Sequence, residues 1–175
     1  MINKKRILVF LMAGVVLFSA CQMKKEKLST QIAETEKQMY ETYSEETMFQ
    51  LVALYQDYAK AFPKDSLSAE YLYRAADLNM KLRKGNEALD VLDMIISKFP
   101  DSQRVADAYY LKGCVYEDVL YDIENAKRAY YDFVGKFPRH ALAADAALLI
   151  TYLEKGMSAD DIVSSFNDST INIVE

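Results

Sequence analysis

One imidazole and two thiols, His140, Cys21 and Cys114, are the groups in this chain best suited to act as base, nucleophile or metal ligand. A nucleophile–base pair would need Cys114 and His140 to meet, yet they fall on different predicted helices. His140 follows Pro138-Arg139 at a helix start, where exposure is expected. Metal ligation fares no better, because there is no second histidine and no paired-cysteine spacing. Glu45-Glu46 and Asp160-Asp161 are adjacent acids, and neighbours on a helix point apart, so neither pair makes a carboxylate clamp. A glycine-rich phosphate loop is missing too. The residues therefore predict no catalytic set, no metal site and no cofactor: the chain reads as a non-enzyme.

Cys21 stands in a different context. Asn3-Lys4-Lys5-Arg6 is a basic start, Ile7 to Phe18 is continuously apolar, and Ser19-Ala20 places small residues directly before the thiol. The apolar stretch falls short of the roughly 20 residues that a stable bilayer-spanning helix requires. This order resembles the leader and lipobox of bacterial lipoproteins, with Phe18 where a leucine is usual. The resemblance implies that residues 1–20 are a signal peptide and that Cys21 becomes the lipidated (palmitate-bearing) N-terminus, with 21–28 as a tether. Each buried methylene of such an anchor contributes roughly 0.8 kcal/mol. Gln22, in place of the aspartate that retains some lipoproteins in the inner membrane, implies the outer membrane. The mostly basic Met23-Lys24-Lys25-Glu26-Lys27 implies its periplasmic face. With Cys21 acylated, Cys114 has no partner for an internal disulfide.

The formal charge is −5, and loss of Lys4, Lys5 and Arg6 with the leader makes the mature chain −8. An acidic body does not suit non-specific nucleic-acid binding, which depends on neutralising phosphates. Five glycines and three prolines in 175 residues suit long helices and a single domain or short repeat array.

The prolines carry the register. Phe62-Pro63, Phe99-Pro100 and Phe137-Pro138 lie 37 and 38 residues apart. Twelve residues before each proline stand Leu51, Ala88 and Ala126; eight before, Tyr55, Leu92 and Tyr130; five before, Tyr58, Ile95 and Phe133. The spacing i, i+4, i+7 makes one apolar helix face. Six residues after each proline comes Ala69, Ala106 or Ala144, a small residue where helices could approach closely. Helices are predicted near 29–43, 46–61, 66–82, 86–98, 102–119, 123–136, 140–154 and 159–166. Gly85 and Gly156 are expected to end helices. Ser158 with Asp161 should cap the last helix, and 167–175 should be a frayed tail. Asp65-Ser66-Leu67 resembles a short O-glycosylation motif of some anaerobic bacteria; the plainer expectation is that Ser66 caps a helix.

Ala76, Ala88 and Pro100, then Gly113, Ala126 and Pro138, resemble successive tetratricopeptide repeats, with one extra residue assigned to the second intervening turn. The resemblance covers roughly residues 45–155. It implies an all-α, right-handed solenoid of antiparallel helix hairpins over 29–166, in which each hairpin buries the apolar face of its neighbour. Such arrays bind partners on a concave face lined by the first helix of each hairpin. Carried over by register, that face comprises Glu70, Tyr73, Asp77 and Met80, then Asp107, Tyr110 and Glu117, then Asp145, Leu148 and Tyr152. Interleaved acids and aromatics would suit a partner segment with basic and apolar residues. Tyr109-Tyr110-Leu111-Lys112-Gly113 and the Phe137-Pro138 closure are similar to two envelope families, the outer-membrane assembly lipoprotein BamD and the Tol-Pal coordinator YbgF. The implied function is a membrane-anchored envelope scaffold for protein–protein interaction, with outer-membrane protein assembly as the leading process. The competing reading is a docking or regulatory subunit for an envelope or cell-wall enzyme.

Overall fold

The computed structural model describes residues 4–156, with side chains from residue 22 onward. The Cys21 side chain, the Ser158–Asp161 cap, the helix expected at 159–166 and the tail lie outside those described. The order is α1 (Lys4–Thr42), α2 (Glu45–Ala61), α3 (Ser66–Lys81), α4 (Gly85–Lys98), α5 (Arg104–Cys114) continuing into a π segment (Val115–Val119), α6 (Ile123–Lys136) and α7 (Ala143–Glu154). Every described element is helical, and the fold is the expected all-α, tetratricopeptide-like class. α1 begins well before residue 29, because Lys24 to Lys27 are good helix formers with no glycine or proline among them. No described helix is long and apolar enough to cross a membrane.

The chain divides into two compact units, Met1–Leu78 and Asn79–Glu175. In the first, α1 packs along α2 through Ile32, which is 1% exposed. Glu36 of α1 accepts hydrogen bonds from Tyr55 Oη at 2.6 Å and Arg74 Nη1 at 2.9 Å, so one carboxylate ties α1 to both α2 and α3. Tyr55 stacks on Tyr71 with ring centroids 5.1 Å apart. In the second unit, Ala126, Tyr130 and Phe133 of α6 and Ala146 and Ile150 of α7 form the core, flanked by Tyr109 and Tyr110 of α5.

The repeat closure is the same three times. Phe62, Phe99 and Phe137 have φ of −128°, −129° and −128°, and each amide bonds back to Tyr58, Ile95 or Phe133. A residue before proline is driven out of the helical region, so each Phe-Pro pair stops its helix at one register. The turn that follows also repeats: Asp65, Ser102 and His140 donate their amides to the carbonyls of Phe62, Phe99 and Phe137 at 2.9, 2.9 and 3.0 Å. All nine residues of the predicted apolar face are at most 3% exposed.

Four local expectations need correction. Ala144 is exposed, and Ala143 and Ala146 are buried instead, because α7 starts three residues later than expected. Gly85 does not end a helix; it opens α4, where an added Cβ would lie 2.5 Å from Leu120 Cδ2. The left-handed residue at that helix end is Arg83, at φ 58°, and its counterpart one repeat later is Tyr121, at φ 55°. Gly156, at φ 66°, does follow α7 as expected. The cap before α3 is Asp65, whose Oδ1 accepts the Leu67 amide at 2.9 Å, and Ser66 is already helical. Finally, the extra residue of the second repeat is not in the turn. Ala76 and Gly113 keep a common offset from their prolines, whereas Arg83 and Tyr121 differ by one. The insertion therefore falls between those landmarks, where Val115–Val119 adopts a π turn closed by the Leu120 amide on the Val115 carbonyl at 3.0 Å.

Candidate partner-binding surface

Glu70, Tyr73 and Asp77 lie on α3 in the first unit, all half-buried. Glu70 accepts from Arg74 Nε at 3.0 Å, and the same guanidinium sits 5.9 Å from the Tyr71 ring centroid. Burial works against the Arg74 charge, but the bonds to Glu70 and beside Tyr55, with the charges of Glu36 and Glu70, outweigh it and raise its pKa. Met80, at the end of α3, falls in the second unit and is half-buried.

The second unit sorts its candidates into two kinds. Tyr110 is packing: its ring meets Tyr130 at 5.7 Å and Phe133 at 5.5 Å. Burial pushes its pKa up to about 12, and the nearby Cys114, Asp145 and Glu117 add to the rise. Glu117 is brought to the same cluster, where it accepts from Tyr130 Oη at 2.8 Å. Burial raises the Glu117 carboxyl despite that bond, and burial likewise raises the Cys114 thiol. Gly113 makes this cluster possible, since a Cβ there would run into the Tyr130 ring.

Asp107 is held between Arg104 Nη1 at 2.7 Å and His140 Nε2 at 3.5 Å. His140 is therefore half-buried and engaged, contrary to the exposure expected. Its Nδ1 accepts the Leu142 amide at 3.3 Å, and its ring meets Phe133 edge-on at 5.4 Å. Cys114 and His140 have separate partners. Among the described residues no group of three or more His, Cys, Asp or Glu side chains could hold a metal ion.

The other kind is exposed at Asp145 and Leu148 and half-buried at Tyr152. Asp145, Leu148 and Tyr152 follow one another at i, i+3 and i+7 on α7, with Asp145 exposed and Leu148 41% exposed. That face carries one acid, one aliphatic and one phenol in a stripe away from the buried Ala143, Ala146 and Ile150.

Two windows of this helical register, residues 70–102 and 107–140, match the family model of the tetratricopeptide repeat. The chain carries tetratricopeptide repeats. It is also similar to the outer membrane protein assembly factor BamD of Rickettsia prowazekii (strain Madrid E), 29% identical over 84 residues that cover 44% of this chain and 34% of that protein. The chain thus matches about a third of the length of that relative. Tetratricopeptide repeats are protein-interaction scaffolds, and the packed tyrosines above fix the hairpins of this one.

Two features escaped the sequence reading. A cleft between α1 and α2 gathers lysines from distant positions. A smaller one of about 190 Å³ lies between Tyr109, Lys112 and Tyr116 and the α6 residues Asn125, Arg128 and Asp132. Neither has a local sequence signal, because each depends on which helix faces meet.

Proposed function

We propose that this chain is a lipoprotein scaffold of the bacterial envelope, anchored through Cys21 at the periplasmic face of the outer membrane. There its tetratricopeptide hairpins hold a segment of a partner protein. The observation that carries the scaffold reading is the pair of repeats at 70–102 and 107–140. The ordered leader of basic, apolar, small and cysteine residues supports the anchor, and the likeness to an outer membrane protein assembly factor supports outer-membrane assembly as the process served. The helix faces offered to the partner are Tyr73 and Asp77 on α3 and Asp145, Leu148 and Tyr152 on α7. Tyr110 and Glu117 serve by shaping the α5–α6 hairpin. The acid-and-aromatic character of the α3 and α7 faces selects a partner segment that is basic and apolar.

Metabolic labelling with a radioactive fatty acid tests the anchor: label should enter the wild-type chain and be lost in Cys21→Ala. Crosslinking in intact cells followed by affinity purification tests the process. Recovery of a β-barrel assembly protein supports the assembly reading, and recovery of a cell-wall hydrolase in its place assigns the chain as that enzyme's docking subunit. Leu148→Asp with Asp145→Lys should reduce capture at least 10-fold with the fold intact; undiminished capture removes α7 from the binding surface.

A further inference from the structure

The first unit holds a cleft of about 550 Å³ between α1 and α2, lined by Lys24, Lys27, Leu28 and Gln31 from one helix and Asp57 and Lys60 from the other. The three lysines are exposed. None of them enters an ion pair among the described residues, whereas their neighbour Lys25 is bound to Asp65. Three unneutralised lysines against one aspartate make this cleft a cationic spot on a chain that is otherwise strongly acidic. Leu28 is half-buried and gives the cleft an apolar wall.

The position of the cleft along α1 selects its ligand. Lys24 and Lys27 follow Cys21 by three and six residues of the same helix, which at the helical rise is about 5 and 9 Å. Both therefore lie within about one Debye length of any surface that holds the Cys21 acyl chains. Lipid headgroups are then present at high effective concentration, an advantage no dissolved acidic protein shares.

We propose that the α1–α2 cleft binds the phosphate headgroup of an anionic phospholipid, giving the chain a second membrane contact beside its acyl anchor. The identity of the surface rests on the lipoprotein reading; the phosphate chemistry rests on the lysines.

The test uses the purified full chain in zwitterionic detergent micelles, titrated with phosphatidylglycerol, phosphatidylcholine or soluble glycerol phosphate, with bound lipid counted by native mass spectrometry. Phosphatidylglycerol should bind selectively. Lys24→Glu, Lys27→Glu and Lys60→Glu together should weaken it by on the order of 100-fold, about 5-fold per lysine. The matching triple Lys→Arg variant should retain binding, and circular dichroism should report unchanged helix in both. Equal binding of the two lipids, or an unaffected Glu variant, overturns the proposal. Glycerol phosphate binding as tightly as the lipid overturns the membrane as its source. The same spectra report acylation at Cys21. Selective binding without an acyl mass sinks the anchor and spares the cleft; an acyl mass without selective binding does the reverse.

Discussion

His140 accepts the amide of Leu142 through Nδ1, as Asp65 accepts that of Leu67 and Ser102 that of Arg104, each two residues ahead and each just after a Phe-Pro pair. Three unlike side chains thus accept the same amide of the turn that leads into the next helix. In the third, acceptance at Nδ1 leaves the ring proton on Nε2, facing Asp107. A catalytic histidine would tolerate no replacement, but one that only holds this turn should accept Asn or Asp. His140→Ala should cost about 1 kcal/mol in urea unfolding, and His140→Asn should recover most of it. Loss of stability in the Asn variant equal to that in Ala would mean that the ring contact with Phe133 matters and the turn bond does not. Glycine makes the second residue-scale case. A Cβ on Gly113 has nowhere to go but the Tyr130 ring, whereas one on Gly135 meets nothing within 4 Å. Gly113→Ala should therefore destabilise by about 1–3 kcal/mol and Gly135→Ala stabilise by up to about 1 kcal/mol, both read from denaturation midpoints.

At the scale of the element, the π turn at Val115–Val119 is where a 38-residue repeat is fitted to a 37-residue frame. Deleting one residue there should return the helix to plain α geometry and leave both flanking registers aligned. Deletion of Val119 is expected to cost about 1 kcal/mol, while deletion of Ala108, inside the regular part of α5, should exceed about 4 kcal/mol by rotating a buried face into solvent. Equal losses would show that the π turn absorbs nothing. The same contrast explains what could be read from the chain before its structure. The Phe-Pro stops and the faces of Leu51, Ala88 and Ala126 were legible because proline geometry and helical periodicity act locally. Gly85 misled because its constraint is a steric one set by Leu120, thirty-five residues on, while the left-handed turn fell to Arg83, which carries no propensity for it. Ala144 misled because the turn before α7 is one residue longer than the turn before α5 and two longer than the turn before α3. Of the candidate surface, the register of Asp145, Leu148 and Tyr152 was legible. The engagement of Tyr110 with Tyr130 was not, since an aromatic on a helix reads alike whether it packs or waits for a partner.

Over the whole molecule, stability in a stack of hairpins is a sum of neighbour contacts, and a defect should be felt most where it is made. Ile32 tests this, because it is buried in the first unit and belongs to the helix whose place in the repeat array the motif left undefined. Ile32→Ala removes packing that α2 receives from α1 and should cost about 2–4 kcal/mol. If α1 only shields an otherwise self-sufficient stack, amide exchange should quicken in α1 alone. If it completes the first hairpin's core, as the Glu36 bonds to Tyr55 and Arg74 indicate, exchange should quicken through α1 and α2 together. In either case amides of α6 and α7 should stay protected, since their core of Tyr130, Phe133 and Ile150 is built within the second unit. Hydrogen-exchange mass spectrometry on the full chain separates these outcomes. Uniform loss of protection in both units would mean that the chain unfolds as one cooperative body, and that additive neighbour contacts do not describe its stability.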